Sequence, residues 1–138
     1  ESSYIRLTSS TDDCRQPNWS PNGDKILYQK FEAGQWDIWI MDTDGTNKSK
    51  VTSGAGDKTD ACFTQDGQYI IFSSDFELDL ANIYKIPITG GIPERLSNYV
   101  GYDGAPSISS DGTKIVFESC SGDPDDSNGT ILIILNLN

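Results

Sequence analysis

The sequence predicts an all-β chain built as propeller blades, three four-stranded antiparallel repeats in succession. Two observations carry that reading. A twelve-residue pattern returns three times, at residues 17–28, 61–72 and 106–117, with its turn glycines Gly23, Gly67 and Gly112 spaced 44 and 45 residues apart. The stretches around each return have strand length, and nothing in the chain has helical periodicity. Four short antiparallel strands per ~45 residues are the signature of a propeller blade.

Each unit opens on a short strand that ends at Trp19, Phe63 or Ile108. The dipeptides Asn22-Gly23, Asp66-Gly67 and Asp111-Gly112 follow, and they supply the positive φ that a tight hairpin needs. Residues 26–28, 70–72 and 115–117 are apolar without a break, which predicts a second, fully buried strand. A variable polar loop leads to a third strand at residues 37–41, 82–86 and 130–134. This alignment sets Leu132 beside Trp39 and Tyr84. A turn at Asp44-Gly45 or Gly90-Gly91 then leads to an outer strand at residues 50–52 and 94–97. Blade 1 is therefore residues 9–52, blade 2 residues 53–97 and blade 3 residues 98–138, the last without an outer strand of its own. Residues 1–8 read as an outer strand that complements a last blade.

Composition removes several functions. The chain has 138 residues, 21 acidic and 10 basic side chains, a net charge of −11 and no histidine. A polyanion does not neutralise phosphates, which argues against nucleic acid and anionic membrane surfaces as partners. Without histidine there is no Ser-His-Asp or Cys-His nucleophile and no histidine-ligated zinc. The longest apolar run, residues 131–135, is too short to insert into a bilayer. No phosphate loop, nucleophile elbow or Cys-x-x-Cys is present, and no carboxylate pair stands out, so the expectation is a non-enzyme. Few lysines, many Asp, Asn, Ser, Thr and Gly, and three sequons at Asn18, Asn47 and Asn128 point to an exported protein: secreted, cell-surface or periplasmic.

Trp19-Ser-Pro-Asn-Gly-Asp-Lys-Ile26, followed by Asp37-Ile-Trp-Ile-Met-Asp-Thr-Asp-Gly45 and the outer Val51-Thr52, resembles the blade repeat of TolB-type propellers. The resemblance covers nearly the whole chain, is strongest in the first unit and weakens in the third. It implies a six-bladed ring, of which three blades are half. It also implies a family of periplasmic protein-binding scaffolds, peptidase-gating domains and surface proteins, with any peptidase chemistry housed in a separate domain. Fold analogy carries no enzyme with it.

Three blades leave two raw faces. Residues 4–8, Tyr4-Ile5-Arg6-Leu7-Thr8, match the outer strands of blades 1 and 2, whereas the third strand of blade 3, carrying Ile131, Ile133 and Leu135, has an open edge. The leading expectation is that residues 4–8 of one copy complete blade 3 of another, giving a closed dimer or a head-to-tail filament. The alternatives are a TolB-like protein-binding scaffold seen as a partial propeller, and half of a longer chain. Proteins or glycans remain candidate further partners.

Smaller features each have a bland and a sharp reading. Cys14, Cys62 and Cys120 are an odd set, small apolar residues on one view and, on the other, a Cys14–Cys120 bridge between copies. Asp123, Asp125, Asp126 and Asn128 are a weak calcium candidate in a loop that reads better as solvated, because their spacing fails the EF-hand pattern. Trp36 falls outside the aromatic register, so it is the candidate contact for a protein or glycan partner.

Overall fold

The computed structural model describes residues 3–77, 80–98, 101–121 and 128–137. Among the described residues the strands form three antiparallel sheets, one per predicted blade, and there is no helix. Blade 1 contains β1 (Asp13–Trp19), β2 (Lys25–Glu32), β3 (Gln35–Asp42) and β4 (Ser49–Lys50), in that spatial order. Blade 2 contains β5 (Lys58–Phe63), β6 (Tyr69–Ser74), β7 (Asn82–Pro87) and β8 (Glu94–Arg95). Blade 3 has β9 (Tyr102–Ile108), β10 (Lys114–Cys120) and β11 (Ile131–Asn136), so β11 is an edge strand.

The turns between first and second strands share one chemistry. Gly23, Gly67 and Gly112 all take positive φ, at 74°, 68° and 72°. Two residues upstream of the turn dipeptides stand hydroxyls Ser20, Thr64 and Ser109. Each hydroxyl donates to an acidic residue of its turn (Asp24, Asp66, Asp111) and accepts the N–H of Lys25, Tyr69 or Lys114. These hydroxyls lock the hairpin that the glycine permits.

A second recurrence was not legible in the pattern. Gln16, Asp60 and Ala105, at matching places in the three inner strands, all adopt positive φ near 50°. Each marks a bulge where the pairing with the second strand shifts register. Bulges re-aim side chains at the cost of a left-handed non-glycine residue. Across the first joint, the Gln16 amide donates to Asp60 Oδ1 at 2.6 Å, and the Asp60 N–H returns a bond to Gln16 Oε1 at 2.9 Å.

Packing happens between blades. Leu27, Ile38, Ile40 and Val51 of blade 1 meet Phe63, Ile70, Phe72, Tyr84 and Ile86 of blade 2. Ile71 and Ile83, on the other face of blade 2, meet Ile115 and Phe117 of blade 3, with Ile133, Leu135 and Leu137 at the margin. Each such side chain contributes about 1.5–3 kcal/mol relative to an exposed one.

Blade 3 departs from the expected pattern in two ways. β10 is not buried on both faces: Ile115 and Phe117 are covered, whereas Val116 and Glu118 are exposed, because among the described residues no sheet lies on that side. The third strand also stands one residue out of the expected alignment. Tyr28 pairs with Trp39 and Phe72 with Tyr84, and Phe117 pairs with Ile133 rather than Leu132. This register turns Ile133 and Leu135 onto blade 2 and leaves Leu132 and Ile134 on the uncovered face, so burial against the existing neighbour decides it.

Candidate functional site

Among the described residues no sheet lies against the outer sides of blades 1 and 3. On the side of blade 1 away from blade 2, Ile26, Tyr28 and Met41 form a small cluster with Leu7, Cys14 and Trp39 against it. Trp19 on this side is 61% exposed, although its counterpart Phe63 is 4% exposed beneath blade 1. A cavity of about 290 Å³ opens here, lined chiefly by Leu7, Trp19, Ile26, Tyr28 and Met41. Burial, with Cys14, Asp12 and Glu32 nearby, pushes the Tyr28 phenol up to about 12, so it stays neutral.

Residues 3–8 form no strand, and Leu7 passes close to the blade 1 turn at Gly45. A Cβ on Gly45 would stand 3.2 Å from the Leu7 carbonyl oxygen. At the matching turn of blade 2, a Cβ on Gly90 would stand 3.0 Å from the Val51 carbonyl oxygen. Leu7 is thus the counterpart of Val51, and Arg6-Leu7-Thr8 of Lys50-Val51-Thr52 and Arg95-Leu96-Ser97. Tyr4 and Ile5 are exposed.

Blade 3 presents the complementary raw side. In blade 1 the Val51 N–H donates to the Ile38 carbonyl at 2.8 Å, and the Ile38 N–H donates to Thr52 Oγ1 at 3.0 Å. Blade 2 repeats both bonds with Leu96, Ser97 and Ile83. Leu132 holds the equivalent place at the free edge of β11 and is 74% exposed, whereas Ile38 and Ile83 are fully buried. Ile131 takes the place of Asp37 and Asn82, so this edge lacks the oxygen that the outer-strand hydroxyls of blades 1 and 2 meet.

A third surface lies on the face carrying the loops between second and third strands. Phe31 and Trp36 pack at 5.3 Å between ring centroids, tilted by 57°. The Arg15 guanidinium stacks 4.7 Å from the Trp36 ring centroid and forks onto Asp13, with bonds of 3.1 and 3.0 Å. The Trp36 N–H is fixed by Asp57 Oδ1 at 2.8 Å. Neither aromatic has a counterpart in blades 2 and 3.

The remaining residues singled out by sequence scatter. Cys14, Cys62 and Cys120 are free thiols in three different blades. Burial pushes the Cys62 thiol up to about 11, and burial with Asp12 nearby also raises Cys14, so neither is primed for nucleophilic chemistry. Asp123, Asp125 and Asp126 lie outside the described residues, while Asn128 is exposed. Among the described residues no three Asp, Glu, Cys or His side chains converge as a metal site. Asn47 is exposed, and Asn18 is half-buried in β1.

Sequence reasoning missed the joint between blades 1 and 2. Asp37, fully buried, lies 2.6 Å from Lys50 Nζ and 3.3 Å from Lys58 Nζ, and it accepts from Thr52 and Gln35. Burial pushes the Asp37 carboxyl up, but these partners outweigh it and hold it below its ordinary value.

The repeat, its turns and its blade order are those of one family, and residues 3–130 match the TolB beta propeller domain. This chain belongs to that family. A TolB-type structure from Agrobacterium tumefaciens superposes with a TM-score of 0.82 at 24% identity, over 95% of this chain and 48% of that one. The Tol-Pal system protein TolB of Francisella tularensis subsp. tularensis is 31% identical over 103 residues, which is 74% of this chain and 23% of that protein. An uncharacterised Agrobacterium fabrum protein is 30% identical over 105 residues, 76% of this chain and 36% of that protein. This TolB-family chain therefore spans only about a quarter to a third of those relatives' length. Fold likeness reaches enzymes as well: an oligogalacturonate lyase in complex with manganese aligns with a TM-score of 0.64 at 21% identity, which shows a shared fold alone.

Proposed function

We propose that this TolB-family chain is part of a non-enzymatic, protein-binding scaffold acting in the periplasm. The observation that carries the reading is the Phe31–Trp36 pair with Arg15 stacked upon it. Aromatic and arginine side chains dominate binding energy at protein interfaces. This group stands outside the repeat that accounts for the other core aromatics, on an exposed face of blade 1. Membership of a family that includes Tol-Pal system proteins supports the same reading. The test is recovery of partners from the envelope of the source cell, with wild type against Phe31→Ala/Trp36→Ala. Loss of an anchor at the centre of an interface costs about 2 kcal/mol or more, so the variant is expected to recover its partner at least ~10-fold less well. Equal recovery by both proteins rejects this surface. Binding of glycans instead of proteins rejects the partner class.

A second reading is supported by the approach of Leu7 to the Gly45 turn, which is like that of Val51 to the Gly90 turn. Here residues 4–8 of one copy pair with β11 of another, with the Leu7 N–H on the Leu132 carbonyl and Thr8 Oγ1 accepting the Leu132 N–H, as Val51 and Thr52 do on Ile38. Mass in solution tests it: a dimer or polymer that deletion of residues 1–8 converts to monomer supports it, and a monomer at all concentrations rejects it.

A further inference from the structure

Polar side chains tie blade 1 to blade 2. Lys58 Nζ lies 3.3 Å from the Asp37 carboxylate, and the Gln35 amide donates to the Gly54 carbonyl at 2.9 Å. The Asp60 N–H also donates to Gln29 Oε1 at 3.3 Å, beside the reciprocal Gln16–Asp60 pair. At the next joint the matching residues are spent within their own blades. Asn82, in the place of Asp37, accepts from Arg95 of blade 2. Ser73, in the place of Gln29, bonds to Thr59 and Asp60 of blade 2. Ala105, in the place of Asp60, has no polar side chain. Among the described residues no ion pair and no bond between side chains joins blade 2 to blade 3: what crosses is the Asp103 N–H, donating to the Ala81 carbonyl at 2.7 Å, and the Cys62 thiol against the Ile108 backbone.

The second joint also carries groups that oppose its closure. Asp103 and Ser119 stand opposite each other in β9 and β10, both 0% exposed, and neither the carboxyl nor the hydroxyl has a hydrogen-bond partner. Burying polar groups without partners is destabilising. Lys58 and Ser74, their counterparts in blade 2, are also buried but are met. Asp37 and the Gly54 carbonyl hold Lys58, and the Ser74 hydroxyl donates to the Asp57 carbonyl at 2.6 Å. Apolar side chains hold matching places in both joints, so the polar groups set the difference. Opening the first joint breaks bonds already made, whereas opening the second gives Asp103 and Ser119 the water they lack.

We propose that the joint between blades 2 and 3 is a hinge, at which blade 3 swings away while blades 1 and 2 stay together. Sub-global opening of a fold runs through its least stable contacts. The open form exposes an apolar cleft, with Ile71 and Ile83 on one wall and Ile115 and Phe117 on the other. Asp103 sets the balance, because closure buries its carboxyl unmet and opening hydrates it. The hinge is independent of the Phe31–Trp36 surface, which belongs to blade 1.

Thiol labelling of the full chain tests the hinge. Ser119→Cys and Ser74→Cys each put a buried thiol at the same place of the repeat, one in the second joint and one in the first. Iodoacetamide is applied under native conditions, and peptide mass spectrometry locates the modification. The thiol at position 119 is expected to label at least ~10-fold faster than the thiol at position 74. Asp103→Asn, added to the Ser119→Cys chain, should slow that labelling by at least ~5-fold, because a neutral amide is less opposed to burial. Equal rates at the two positions overturn the hinge, as does a faster rate at position 74. An unchanged rate with Asp103→Asn overturns the role of Asp103. Should any of these variants fail to fold, hydrogen exchange of the wild type decides. Loss of protection at the Asp103 amide, under conditions that leave the β6 amides protected, supports the hinge. Exchange of both through global unfolding alone overturns it.

Discussion

The two joints between blades use the same positions and opposite electrostatics. In the first, Asp37 on β3 binds Lys58 at the start of the next inner strand, with Lys50 completing the group. In the second, Asn82 replaces Asp37 and Asp103 replaces Lys58, while Arg95 keeps the place of Lys50. Apolar packing is alike in both, with Leu27, Ile38, Phe72 and Tyr84 matched by Ile71, Ile83, Phe117 and Ile133. The lesson is that a blade repeat conserves shape more strictly than charge. Hydrophobic burial is non-directional and is met by any side chain of suitable size, whereas a buried charge needs a particular partner.

The sharpest way to break this comparison is Asp37→Ala. It strands Lys58 beside Lys50 in a buried site, and the expected loss is about 3–5 kcal/mol in urea unfolding. Asn82→Ala, at the matching place in the second joint, removes a neutral acceptor from Arg95 and should cost only about 1–2 kcal/mol. Equal losses would mean that the two joints are electrostatically alike after all.

Covered and uncovered faces supply the next contrast. Phe63→Ala should destabilise by about 3–4 kcal/mol, because it opens a cavity under blade 1. Trp19→Ala, at the same position of the repeat but largely exposed, should cost under about 1 kcal/mol. A loss at Trp19 as large as that at Phe63 would show that another sheet covers blade 1 in solution.

The smallest expected effect is on acid stability. The Asp37 carboxyl titrates lower in the folded chain than its ordinary value of 3.8. Its contribution is therefore complete above that value and is lost as pH falls through the lower, folded one. Circular dichroism followed downward from about pH 5 should show wild type losing stability on this limb, and Asp37→Asn, weaker throughout, should lose less of what it has. A variant as acid-sensitive as wild type would remove Asp37 from the account.

Much of the fold could be read in advance, for physical reasons that differ by element. Gly23, Gly67 and Gly112 announce their hairpins because positive φ is costly for other residues, and the strand ends at Trp19, Phe63 and Ile108 follow from that anchor. The third strand of blade 3 could not be placed by pattern, since residues 131–135 are all Ile or Leu and any register hides some of them. Trp36 was identifiable as an outsider to the aromatic register, but its stacking on Phe31 and Arg15 depends on β1, β2 and β3 meeting. Asp103 gave no signal at all. Its position is occupied by Cys14 and Lys58 in the other blades, so nothing in the repeat marks it.

The sequence by itself determined the blade: local turn chemistry and strand periodicity act within some twelve residues and need no partner to be recognised. It also determined the count of repeats and the polyanionic character. Tertiary structure alone decided which faces are covered and which buried charges are answered. Those outcomes depend on which residues meet across a joint, as far apart in sequence as Asp37 and Lys58, and no local pattern encodes that meeting. Asp37 finds Lys58, and Asp103 finds no base, only because the sheets stack in this order and register.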